Sequence, residues 1–181
     1  HPLIGANRHQ DFAVVGNAVP NSLHWSDAKK LRDAGLKVIR NAHCPQDPAF
    51  MDACDELGLF VLDNIPGWQF WNDAPEFAQR VFSDTRNLVR RDRNHACLWM
   101  WEPILNETWY PADFAKQTRD IVNEEYPFPY STSGCDATAR GHDRIARHGA
   151  DSRGPVFDDI GHQPDGEHAA QHARRRAEAV Q

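Results

Sequence analysis

Four places along the chain put side chains able to do acid, base or ligand chemistry directly behind apolar runs. They are Asn7, Arg8 and His9; Arg40, Asn41 and His43; Asp63 and Asn64; and Asn106 with Glu107. Glu107 is the sharpest case, because it lies within the stretch "CLWMWEPILNETWYP" at residues 97–111, behind the run Leu98 to Trp101. A carboxylate beside buried strand residues costs free energy unless it is hydrogen-bonded or put to use. Glu107 therefore either marks a loop returning to water or is a working acid, its pKa raised by semi-apolar surroundings. Taken singly, an Arg or His behind a strand is more often a loop residue, and Asp63 can equally cap the loop that follows. His9, His43 and Asp63 are metal ligands by type, but no tight spacing joins them and no metal is expected. Trp68, Trp71 and Trp109 also follow apolar runs, as core residues or as flat platforms of the kind a sugar's C–H face accepts.

The elements that must position these groups can be read from local pattern. "LKVIRNA" (36–42), "LGLFVLD" (57–63) and "ACLWMW" (96–101) are short runs apolar on both faces, which suits parallel strands covered by helices. "PLIGANR" is a further candidate and "PFPYSTSG" (127–134) a weaker fifth. Helix signals fill the gaps. Ser22 or Ser26 can cap a helix that ends at Gly35. Asp47-Pro48 opens one that Gly58 closes. Asp73 with Glu76 resembles a capping box, and Pro111 can open the last helix. Such alternation predicts an α/β fold with right-handed crossovers. About four βα units and a fifth strand are too few for an eight-stranded barrel, which takes about 250 residues. In a βα barrel the carboxyl ends of the strands share one rim, and active sites are built there. All four polar clusters fall at such ends, which favours an enzyme.

Composition narrows the alternatives. A net charge of -6 over 181 residues argues against nucleic-acid binding, which wants a basic stripe. No run approaches the roughly 18 apolar residues of a membrane span, so no membrane partner is expected and the chain reads as soluble. "HPLIGANRHQDF" lacks the regions of a signal peptide, and its first residue is not Met, so the natural amino terminus is expected upstream. Compartment and oligomeric state are not legible. Cys44, Cys54, Cys97 and Cys135 are too scattered for a disulfide framework or zinc site and are expected as buried single thiols. Two regions follow from composition: residues 1–140, and a tail at 141–181 with no leucine or tryptophan but five of the ten histidines. Its apolar residues beyond alanine are Ile145, Val156, Phe157, Ile160 and Val180, so the tail is expected to be disordered or partly helical.

The stretches "GANRHQD", "GLKVIRNAHCPQDPAFMDACDELGLFVLDNIPG" and "RDRNHACLWMWEPILNE" resemble the catalytic barrel of glycoside hydrolase family 2, which holds β-galactosidases, β-glucuronidases and β-mannosidases. The likeness covers residues 3–110 and fades through 136. It implies a partial (β/α)8 TIM barrel of four to five units, with residues 1–140 as its amino-terminal part, a carbohydrate substrate and no cofactor. By motif, Glu107 resembles the general acid/base and Asn106 the partner that contacts the sugar 2-hydroxyl. Arg40 resembles the arginine supporting the nucleophile carboxylate. His43 and His9 resemble sugar contacts, with Arg8 beside them as rim support for substrate binding. The departures are Ala96 in place of proline, one extra residue between Trp101 and Glu107, and Cys44 in place of tyrosine. The loop after Asp63 also lacks the carboxylate-x-His pair that helps hold magnesium in some members.

The implied chemistry is retaining hydrolysis of terminal β-glycosides, a β-galactoside first, with glucuronide and mannoside as rivals. That mechanism needs two carboxyl groups about 5 to 5.5 Å apart. The family's nucleophile sits in a Glu-Tyr-Gly or Glu-Trp-Gly context that does not occur here, and Asp158 and Asp159 are weak substitutes. Glu102 lies too far back along Glu107's own strand and is expected to be structural, with Pro103 ending the pairing. The family sequence is thus expected to stop near residue 144. An inactive fragment or a non-catalytic carbohydrate-binding module is the competing reading.

Overall fold

In the computed structural model, residues 3–66, 71–104, 110–128 and 132 are described. Four strands alternate with four helices: β1 (Gly5–Arg8), α1 (Asn21–Asp33), β2 (Val38–Asn41), α2 (Pro48–Leu57), β3 (Phe60–Asn64), α3 (Pro75–Asp92), β4 (Leu98–Glu102) and α4 (Ala112–Glu125). The strands form one all-parallel sheet in the order β1-β2-β3-β4. Each expected strand is present, a few residues shorter than its apolar run. Of the weaker fifth, Thr132 makes an isolated parallel bridge to Trp101. Residues 141–181 lie outside the described residues.

Local chemistry explains most helix boundaries. Asp47 caps α2 by accepting from the Ala49 N–H at 2.9 Å, Pro48 occupies the first turn, and Gly58 ends the helix at φ 68°. Two expected caps are corrected. α1 starts at Pro20, whose carbonyl accepts from Leu23 and His24 at 2.8 and 3.2 Å, so Ser22 and Ser26 lie inside the helix. α3 starts at Ala74 with proline behind it, and Asp73 accepts from the Trp71 indole at 2.7 Å instead. Just before the helix, Asn72 Oδ1 accepts from the Ala74 N–H at 2.8 Å.

The core lies between sheet and helices. Ile39 and Val61 pack with Ala28, Phe50, Met51 and Cys54 beneath α1 and α2; Trp101 packs with Leu88, Val89 and Val122 beneath α3 and α4. Each Val, Leu, Ile, Phe or Met among them contributes roughly 1.5–3 kcal/mol on burial. Cys54 and Cys97 are buried thiols as expected, and burial pushes Cys54 up to about 12. Cys44 is exposed, because its position opens the loop behind β2 rather than facing the helices.

A polar clasp closes the amino end of β4. Asp55 of α2 accepts from the Cys97 N–H at 2.6 Å and meets His95 Nδ1 at 2.7 Å. Burial alone would raise the Asp55 pKa, but the bonds from His95 and Cys97 outweigh it and hold the carboxyl below its usual range. A depressed carboxyl pKa adds stability above the unfolded value, which is lost as pH falls through the folded one. Asp55→Asn is therefore expected to cost about 1–2 kcal/mol at pH 7, with the gap narrowing toward pH 3. Urea titrations at both pH values check it.

Candidate active site

Strand alternation sorts each polar cluster onto two faces. Asn7, Arg40, Asn64 and Glu102 share the inner face of the sheet, and their side chains meet. The Arg40 guanidinium holds Glu102 with two bonds, Nε to Oε2 at 2.7 Å and Nη2 to Oε1 at 2.8 Å. Asn64 Nδ2 donates to the same carboxylate. On its other side, Arg40 Nη1 lies 3.4 Å from both Asn7 Oδ1 and His43 Nε2. Glu102 is fully buried and the Arg40 side chain is 11% exposed, so the pair is shielded from screening by water. His9 is exposed, its ring 5.6 Å from that of His43. The β1–α1 loop is tied to the loop after β2 by Gln10 Oε1, which accepts from the Asp47 N–H at 2.7 Å.

The immediate neighbours of these residues face the helices instead. Arg8 is 7% exposed and packs its guanidinium 3.9 Å from the centre of the Phe50 ring. It bonds Asp27 at 2.7 Å, Gln46, and His24 at 3.2 Å. That placement removes it from the Arg40 cluster and makes it a tie between β1 and the helices, so the expectation of a substrate contact is corrected for Arg8. Asn41 donates to Asp63 at 2.8 Å and faces Met51. Asp63 and Asp92 are both buried.

Of the sequence-derived residues, Arg40, His43 and His9 come together at one mouth. Asn106 and Glu107 lie outside the described residues, as do Trp68 and Trp109. Trp71 packs edge-on against Phe77 and Phe114, as part of the helix packing rather than a rim platform. Glu102, expected to be structural, is fully buried and grips the Arg40 guanidinium from β4. A glutamate ending an apolar strand was the signal, and its distance from Glu107 along the chain concealed its proximity to β2. For a metal, the described residues bring three ligand atoms together only at Asp55, His95 and Cys97, within 4.8 Å. Asp55 is already occupied by its two donors, and the Cys97 thiol points at the Met51 carbonyl, 3.6 Å away. This cluster is at the opposite end of the strands from the mouth.

Parallel strands with covering helices and a polar cluster at their carboxyl ends are the arrangement of part of a βα barrel. The chain belongs to the glycosyl hydrolases of family 2: the model of that family's TIM barrel domain matches residues 2–124. It is 39% identical over 123 residues to a β-galactosidase of Thermoanaerobacter pseudethanolicus, covering 67% of this chain and 16% of that protein. It is 34% identical over 116 residues to a putative β-glucuronidase of Formosa agariphila, covering 62% and 14%. Among solved structures, a β-glucuronidase from Ruminococcus gnavus in complex with D-glucuronic acid superposes with a TM-score of 0.68 at 20% identity, over 75% of this chain and 24% of that one. The chain thus spans about a sixth of the length of the first two relatives.

Proposed function

We propose that this chain supplies part of the catalytic barrel of a retaining β-glycosidase, with Glu107 as acid/base and a β-galactoside as substrate. The observation that carries the reading is the convergence of Asn7, Arg40, His43, Asn64 and Glu102 on one strand-end mouth, five residues before Glu107. His43 and His9 are the proposed sugar contacts on the β1–β2 side, and Asn106 the contact beside the acid. Arg40 is the rim cation among them. In the reaction, Glu107 gives its proton to the leaving oxygen, then takes one from the water that releases the sugar from a second, nucleophilic carboxylate. The galactoside preference is supported by the 39% identical relative.

Glu102 favours a second reading for the chain on its own. It is the only inner-face carboxylate among the described residues, and it is bound to Arg40 and Asn64 rather than held open for attack. On that reading the mouth binds sugar without turnover. Incubation with an aryl β-galactoside, following aryl alcohol release, separates the two. Turnover that falls on the order of 100-fold in Glu107→Gln supports the enzyme. No turnover with calorimetric sugar binding retained supports the binder, and neither signal rejects both.

A further inference from the structure

Glu102 is a glutamate with no solvent exposure on the inner face of a strand, yet it carries no role in the acid/base chemistry proposed for Glu107. Its two oxygens take one edge of a planar guanidinium. A bidentate pair of this kind fixes both the position and the plane of the arginine, which a single contact does not. With Nε and Nη2 held by Glu102, the remaining edge of Arg40 is aimed at Asn7 and His43. Asn64 braces the carboxylate from the neighbouring strand, so four side chains from β1, β2, β3 and β4 are joined in one line across the mouth.

We propose that Glu102 is a positioning residue for substrate: it orients Arg40 so that the Nη1 edge, with Asn7 and His43, engages a sugar hydroxyl. This rests on the reading of the mouth as a sugar site. Glu102 acts through Arg40 and does not touch the sugar. An arginine without this partner keeps its charge but samples several side-chain rotamers, and it contributes less to binding because that freedom must be lost on contact. The same arrangement explains why a glutamate, rather than a small or apolar residue, ends β4: a buried guanidinium requires a counter-charge.

A double-mutant cycle on the full 181-residue chain tests this, with affinity for a non-hydrolysable aryl β-thiogalactoside read by calorimetry. Glu102→Gln keeps the shape and removes the charge, and is expected to weaken binding about tenfold. Arg40→Gln is expected to weaken it by at least as much. The Arg40→Gln/Glu102→Gln double variant should bind no worse than Arg40→Gln alone, because Glu102 has nothing left to orient. In parallel, the Arg40 side-chain Nε–H resonance in an NMR spectrum should move on Glu102→Gln without sugar present. Should Glu102→Gln not fold by circular dichroism, Glu102→Asp closes the same cycle with the charge kept and the reach shortened. Additive losses, or an unmoved Arg40 resonance, overturn the inference. Sugar binding that Glu102→Gln leaves unchanged overturns it alone, whereas no binding by the unaltered chain removes the sugar site and the inference together.

Discussion

Asp63→Asn is expected to make the protein progressively more stable than the unaltered chain as pH rises from about 4 to about 8. Asp63 sits at the helix-facing side of β3 with no solvent exposure. Its Oδ1 accepts from Asn41 at 2.8 Å, but Oδ2 has no donor within reach. Its neighbour is Asp92, whose own carboxylate is held by the Arg91 fork at 2.7 and 2.6 Å. Two carboxylates share a hydrogen bond only when one keeps its proton, and burial makes Asp63 the one that does. Burial first, then Asp92, raises its pKa from 3.8 to about 8, with Asn41 and Arg91 opposing.

The sign follows from proton counting. Between pH 4 and pH 8 the folded chain retains a proton that the unfolded chain has released, so stability falls as pH rises, by up to ~1 kcal/mol or slightly more per pH unit. Asparagine offers a permanent donor toward Asp92 and removes this slope. His24 works the other way: burial, then Arg8, lowers its pKa, so it costs stability as pH falls below 6.5. Comparing variant with unaltered chain cancels that contribution. Urea titrations across pH 5 to 8.5 measure the difference, and parallel profiles for the two proteins would refute a protonated Asp63.

The second large effect is expected at Arg8. Arg8→Ala removes the cation from between Asp27, Gln46 and His24 and opens a gap over Phe50. Breaking a buried pair by deleting one partner typically costs about 3–5 kcal/mol. Asp27 is 31% exposed, and water can take over its charge in part, so the lower end of that range applies. Since domains are stable by only about 5–15 kcal/mol, the loss is large. Arg8→Lys recovers a fraction, because an ammonium lacks the fork that reaches three partners. Sugar affinity per folded molecule should not change in either variant. A selective loss of affinity at unchanged unfolding free energy would return Arg8 to the ligand-binding set.

The order of elements was legible in the sequence because its signals are local. Apolar runs of strand length, a proline behind Asp47 and a glycine at the end of α2 depend only on near neighbours. The same holds for the recurrence of polar residues behind each strand. Which member of each polar pair looks into the mouth was a tertiary decision. Asn7 and Arg8 are adjacent and both polar, so no hydrophobic alternation distinguishes the inner side from the outer. The choice is made by partners distant in sequence: Asp27 and Gln46 draw Arg8 to the helices, while Glu102, 62 residues away, draws Arg40 inward. The register irregularity between Val61 and Leu62 shifts the phase of β4 against β3 and brings Glu102 level with Asn64. A charge's role inside a sheet depends on which strand lies beside it, and strand neighbours are chosen by packing over the whole domain rather than by any short stretch of chain.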